Sequence, residues 1–141
     1  MTTSSMSRAP RDVLTQLLAD VSAGRWDQLH ELYADNTVVR HPFARDVSRL
    51  LEGRDALRHH FAHFAQSGRS LRARDVVLHD TADPEVVVAE FVYDGTGPGP
   101  DDHFEMAACF VWRVRDGLVT HANDYLDQPR PTSGDGPSPQ S

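Results

Sequence analysis

The stretch His103–Asp127, HFEMAACFVWRVRDGLVTHANDYLD, decides how the chain is read. Two apolar runs flank Asp116 and Gly117. An Asp-Gly pair between such runs is a strong sign of a β-hairpin, because the favoured two-residue turn needs positive φ at both centres. The second strand is the unusual one, since His121, Asn123, Asp124, Tyr125 and Asp127 crowd into it. Side chains on a strand alternate between faces. Asp124 therefore shares a face with Thr120, Ala122 and Leu126, while His121, Asn123, Tyr125 and Asp127 take the other. The first face is small and apolar apart from its acid, as a pocket wall would be. The second is polar, as a solvent-facing or subunit-facing surface would be. A bulge would reverse the assignment beyond it. The alternative for Asp124 is a solvated strand end.

Working outward, LRARDVVLHD and EVVVAEFVYD read as two more strands, closed by the turn-rich GTGPGPDD. Upstream, RDVLTQLLADVSAG places Val13, Leu14, Leu17, Leu18 and Val21 on one helical face and stops at Gly24. RWDQLHELYAD, with Trp26, Leu29, Leu32 and Tyr33, reads as a short second helix, and NTVVRH as a brief strand stopped by Pro42. RDALRHHFAHFAQSG, with Leu57, Phe61 and Phe64, makes a third helix. Helices early and antiparallel strands late predict an α+β domain, a curved sheet wrapped around three helices, with a ligand-sized cavity between them. The domain is expected over residues 11–128. Residues 1–10 read as loose, and the Pro/Ser/Gly-rich 129–141 as a disordered tail.

Composition narrows the function. The chain has 141 residues, one domain's worth, and a net charge of -7 without a basic run, so nucleic acid is not an expected partner. No segment resembles a signal peptide or a membrane span, which predicts a soluble cytoplasmic protein without a membrane partner. The single cysteine, Cys109, allows no internal disulfide and reads as a buried, inert thiol. All 14 basic residues are arginine. Without lysine there is no side-chain Schiff base, no pyridoxal phosphate anchor and no P-loop lysine. GxSxG is absent too, which argues against a serine hydrolase elbow. His, Asp, Glu, Tyr and Cys109 remain for catalysis, and no cofactor is expected. In RHHFAH, His59 and His63 share a helix face, but a third ligand is missing, so no metal is expected.

The order of elements, with ELYADNTVVRHPFA, then LEGRDALRHHF, then RDGLVTHANDYLD, resembles the SnoaL-like group of the nuclear-transport-factor-two-like superfamily. Relatives include polyketide cyclases, ketosteroid isomerase and limonene epoxide hydrolase. The resemblance implies a cone-shaped, cystatin-like roll and a homodimer. His41, just before Pro42, falls where the isomerase holds its general-base aspartate and the epoxide hydrolase an asparagine. Asp124 matches that hydrolase's general-base aspartate. The resemblance thus implies a His41–Asp124 pair facing each other across the pocket. The departures are equally informative. Leu17 stands where the isomerase has its oxyanion tyrosine, and Phe110 near its oxyanion acid. Phe91 and Tyr93 replace the hydrolase's arginine and second aspartate. Neither named activity carries over.

The candidate catalytic residues are His41 and Asp124. A carboxylate beside an imidazole fixes the ring's tautomer and gives a unit that exchanges protons near neutral pH. A desolvated aspartate is alternatively the base itself, with the imidazole orienting a water or a carbonyl. Tyr93 is a candidate hydrogen-bonding group, and Phe91, Phe110, Trp112 and Leu17 are candidate walls for a substrate, or else simply core. Glu90, Glu105, Arg113 and Arg115 read as outward-facing. The expected function is acid–base chemistry (cyclisation, isomerisation, dehydration or epoxide opening) on a small hydrophobic metabolite of polyketide or terpenoid type. The alternative is a non-catalytic module that binds a small molecule or dimerises.

Overall fold

The computed structural model describes residues 8–132. Its elements run α1 (Pro10–Ser22), a 3-10 turn (Leu29–Leu32), β1 (Tyr33–Arg40), a second 3-10 turn (Val47–Arg49), β2 (Leu50–Glu52), α2 (Arg54–Ala65), β3 (Ser70–Asp80), β4 (Val86–Thr96), β5 (His103–Arg115), β6 (Leu118–Leu126) and β7 (Arg130–Pro131). One sheet runs in the order β2-β1-β6-β5-β4-β3, with β7 added on β5. It is antiparallel except where β1 meets β6. The α+β architecture is as expected: an unclosed, curved sheet with helices packed on its inner face.

The β5–β6 hairpin turns at Asp116 and Gly117, whose φ of 54° and 77° are the positive pair the tight turn demands. The strands keep register from Ala108 opposite Leu126 to Arg113 opposite His121, then slip so that Val114 faces Val119. Thr120 is the extra residue, and its hydroxyl donates to the Arg113 carbonyl at 3.3 Å. This bulge corrects one part of the alternation reading. Val119, not Thr120, points into the core, where it is fully buried. Beyond the bulge Ala122 and Asp124 remain on the inner face, because the slip lies before them.

Three helices become two. The residues expected as a second helix supply only the 3-10 turn, and β1 already begins at Tyr33. Leu29 and Leu32 are buried at a spacing that a 3-10 turn satisfies as well as an α-helix does. Tyr33 is then drawn into the sheet opposite Val119, and its carbonyl accepts from Arg54 Nε at 2.8 Å. The turn between α1 and this segment is held by Asp20, which is buried and accepts from Gln16 Nε2 and Arg25 Nη1. Two short strands go beyond the sequence reading. β2 pairs with β1, and Arg130–Pro131 pairs with β5, so residues just past 128 are ordered rather than part of a disordered tail. Residues 1–7 and 133–141, the remainder of the expected loose ends, lie outside the described residues.

The core is the contact between α1, whose Val13, Leu14, Leu17 and Leu18 are buried, and the inner face of β3, β4 and β5, where Trp112 is fully buried. Cys109 belongs to the outer face, opposite Glu90, and is half-buried rather than buried. Burial and the neighbouring Glu90 charge raise its thiol pKa. Glu90 faces outward and bonds His79 at 2.9 Å, and Glu105 pairs with Arg74. Among the described residues no helix is long and apolar enough to cross a membrane.

Candidate active site

Between α1, α2 and the inner sheet face lies a cavity of about 550 Å³. Its wall is largely apolar, including Leu17, Phe61, Phe64, Met106, Phe110 and Leu126. Exposed Phe43, Arg45, Asp46 and Gln128 mark its opening. A few polar groups converge inside, the arrangement typical of a small-molecule site.

Asp124 is one of them. β6 carries it inward opposite Phe110, and its side chain retains 7% exposure. Oδ1 accepts a hydrogen bond from Trp112 Nε1 at 2.8 Å, which leaves Oδ2 free on the cavity side. Burial pushes its pKa up to about 6, against the opposing pull of the His41 charge and the Trp112 N–H. His41 Nε2 stands 3.6 Å from Oδ2, close enough for ion pairing and longer than a hydrogen bond.

His41 is aimed by the loop that follows it. Its backbone N–H donates to Arg49 O and its carbonyl accepts from Ala44 N, both at 3.0 Å. Ring Nδ1 lies 2.6 Å from the Ser48 carbonyl, and a carbonyl only accepts, so Nδ1 carries a proton. Ser48 is itself held by Asp46, which accepts from its backbone N–H and its hydroxyl. The tautomer is therefore set by the Ser48 carbonyl and not by the aspartate, as the sequence alone suggested. Nε2 is left as the working nitrogen toward Asp124.

Tyr93 lines the same cavity, and so does Tyr33, which sequence reasoning had assigned only to a helix face. Burial first, and then the Asp124 charge, raise the pKa of both phenols; for Tyr33 the nearby Tyr93 adds to this. Both therefore stay protonated and can donate. Among the described residues neither hydroxyl is a buried, unpartnered atom, consistent with their opening onto the cavity.

The other candidates divide. Leu17 and Phe110 line the cavity. Phe91 and Trp112, also read as candidate walls, are not among the cavity-lining residues. Phe91 is buried behind the wall, edge-on to Tyr93 at 4.8 Å and to Phe110 at 4.9 Å. Trp112 is completely buried, stacked on Phe110 at 6.0 Å, and reaches the site only through its N–H on Asp124. Alternation put both on the inner face, but that face is broader than the cavity. Among the described residues no group of three or more His, Cys, Asp or Glu side chains converges as metal ligands, and His59 and His63 are exposed.

The profile of the SnoaL-like domain matches residues 14–122. The chain belongs to the SnoaL-like family. No protein of curated function matches this SnoaL-like chain in sequence. Solved structures do match it. A Bacillus subtilis protein assigned as an isomerase shares 22% identity, covering 84% of this chain and 86% of its own, with a TM-score of 0.76. A protein of Xanthomonas campestris pv. campestris assigned as a polyketide cyclase shares 19%, covering 82% and 88%, with a TM-score of 0.69. The epoxide hydrolase/cyclase-like enzyme SalBIII, with a role in pyran ring formation in the polyether salinomycin, shares 17%, covering 84% and 91%, with a TM-score of 0.69. At these identities the likeness is one of fold.

In this SnoaL-like chain one further polar lining residue, His60, was overlooked in the sequence. It falls with Leu57, Phe61 and Phe64 on the inner face of α2, and all four line the cavity. The spacing i, i+3, i+4, i+7 was available as a signal. His59 and His63, the pair with chelating spacing, lie on the exposed side of the same helix. Asp127 also reaches the cavity, because β6 ends at Leu126 and alternation lapses beyond it.

Proposed function

We propose that this protein is an enzyme that moves a proton on a small hydrophobic molecule of polyketide or terpenoid type, using its own side chains. The observation that carries the reading is a carboxyl with its pKa raised to about 6, its free oxygen 3.6 Å from an oriented imidazole, inside an apolar cavity. A base acts best when its pKa lies near the working pH. At neutral pH Asp124 is mostly ionised, and Oδ2 takes a proton from a carbon beside a carbonyl. The C–H electron pair passes to the carbonyl oxygen, which the Tyr93 and Tyr33 hydroxyls stabilise by donation. His41 Nε2 accepts the proton from Asp124 or returns one to the product. Cyclisation, isomerisation, dehydration and epoxide opening are all built from such steps.

The test follows hydrogen exchange at C1 of 2-tetralone in D₂O by NMR at saturating ligand. The wild type should speed the exchange, and Asp124→Asn and His41→Phe should not. Exchange no faster than in buffer would sink the enzyme reading and leave a binding module. We further propose that the outer sheet face pairs with a second copy of the chain. Half-buried Val88 and Val111 pair across the strands there, and half-buried Val92 opposite Ala107 follows on the other side of Glu90. Sedimentation of the wild type and of Val92→Glu reads this directly; a monomeric wild type would refute it.

A further inference from the structure

His60 is a half-buried polar residue on the inner face of α2. Its ring lies 5.6 Å from that of His41 and 5.4 Å, edge-on, from Phe61. It lines the cavity, and among the described residues neither of its ring nitrogens is engaged in the side-chain hydrogen bonds that hold His41 and His59. Partial burial costs such an imidazole some of its hydration, while its ring nitrogens stay open to the cavity. One whose nitrogen meets a ligand recovers it on binding. The asymmetry with His41 is clear: one histidine is locked by a carbonyl, and the other is left open.

We propose that His60 contacts the substrate directly, donating a hydrogen bond to an oxygen atom, so that the molecule bound is an oxygen-bearing hydrophobe and not a plain hydrocarbon. The inference rests on the reading of this cavity as the working site and names the class of ligand it selects. The protonation state suits the role. Burial, then the charge of His41, lower the His60 pKa to about 4; Asp46 in the loop opposes this and His63 on α2 adds to it slightly. At neutral pH the ring is uncharged, with one N–H to donate. A neutral imidazole can polarise a carbonyl without placing a charge of its own in the cavity. His60 thus adds, from α2, a donor to the Tyr93 and Tyr33 hydroxyls that line the same cavity.

The experiment compares two probes of one skeleton, 2-naphthol and 2-methylnaphthalene, binding to the full chain by calorimetry. The wild type should prefer the naphthol. His60→Phe should lower naphthol affinity by roughly three- to tenfold, the worth of one hydrogen bond, and leave the hydrocarbon unchanged. His60→Gln, which keeps an N–H donor, should restore part of the preference. Equal loss for both probes would reduce His60 to a packing residue and overturn the proposal. So would no loss at all, or a wild type without preference. A second measurement needs no variant: the ¹⁵N signals of the His60 ring should move further on adding 2-naphthol than on adding 2-methylnaphthalene, and equal movement counts against it. Neither readout needs turnover. A wild type that fails to exchange 2-tetralone hydrogens but keeps the His60-dependent preference would end the enzyme reading alone.

Discussion

The two faces of this one sheet handle ionisable groups in opposite ways. On the outer face, the exposed His79–Glu90 pair apart, charges are closed into arginine pairs: Arg74 contacts Asp75, Asp94 and Glu105, and Glu85 contacts Arg113 and Arg115. The arginines keep their charge across all ordinary pH, so these networks cannot trade protons. On the inner face no arginine meets the acid. Asp124 is answered by a histidine and an indole N–H, in a setting where burial lifts its carboxyl toward neutrality. The same residue types thus serve as fixed surface charge on one side and as movable protons on the other. Solvent access and the choice of partner make the difference.

The largest expected effect tests that contrast in chemistry. If the inner face carries the protons, Asp124→Asn and His41→Phe each lower 2-tetralone exchange by about a hundredfold or more. Arg74→Ala on the outer face leaves it unchanged. An Arg74 variant that loses activity would erase the distinction.

Next comes the residue that joins the core to the site. Trp112→Ala should cost about 3–5 kcal/mol in chemical denaturation, because a fully buried indole leaves a cavity behind. Trp112→Phe keeps most of the packing but removes the N–H that helps hold Asp124 ionised. The Asp124 pKa should therefore rise further, as read by ¹³C NMR of the carboxyl. A fall would show that the indole donates elsewhere.

The pH dependence of stability sharpens the comparison. The folded-state pKa of Asp124 lies above the unfolded value, so between about pH 4 and 6 the folded state binds more protons than the unfolded one. Its contribution is most favourable at low pH and is lost as pH rises through about 6. Asp124→Asn should flatten this decline, gaining roughly 1–3 kcal/mol on the wild type between pH 4 and pH 7. Unfolding curves that stay parallel across that range would refute the buried-acid account. The smallest effect is expected at Asp46, which steadies the Ser48 carbonyl behind His41. Asp46→Ala should slow exchange by roughly tenfold through misplacement of the imidazole, with little change in the urea midpoint.

Much of this arrangement was legible in residues whose neighbours in sequence are also neighbours in space. Asp116-Gly117 announced its hairpin, and alternation placed Ala122 and Asp124 on one face, because two-residue turns and strand parity are local rules. Thr120 was not legible as a bulge, since one inserted residue leaves no mark on an already polar strand. The 3-10 turn at Leu29–Leu32 passed for a helix because one turn of either buries the same residues. The three residues of β2 and the two of β7 are too few to show a period. The nearness of His41 to Asp124 depends on the parallel pairing of Arg40 with Asn123, a long-range match that only the family resemblance suggested. Why the imidazole holds its tautomer lay further off still, in the backbone carbonyl of Ser48, an atom every residue possesses.

The β1–β6 pairing also bears on how the molecule folds. β3 through β6 form a meander of successive antiparallel neighbours, which can zip together through short loops. β1 joins last in topological terms, since its parallel partner lies near the far end of the chain and closing so long a loop is entropically slow. His41 and Asp124 therefore meet only when this final ladder forms. A partly folded chain would hold each group separately in water, as an ordinary imidazole and an ordinary carboxylate, and reactivity would appear together with the completed fold.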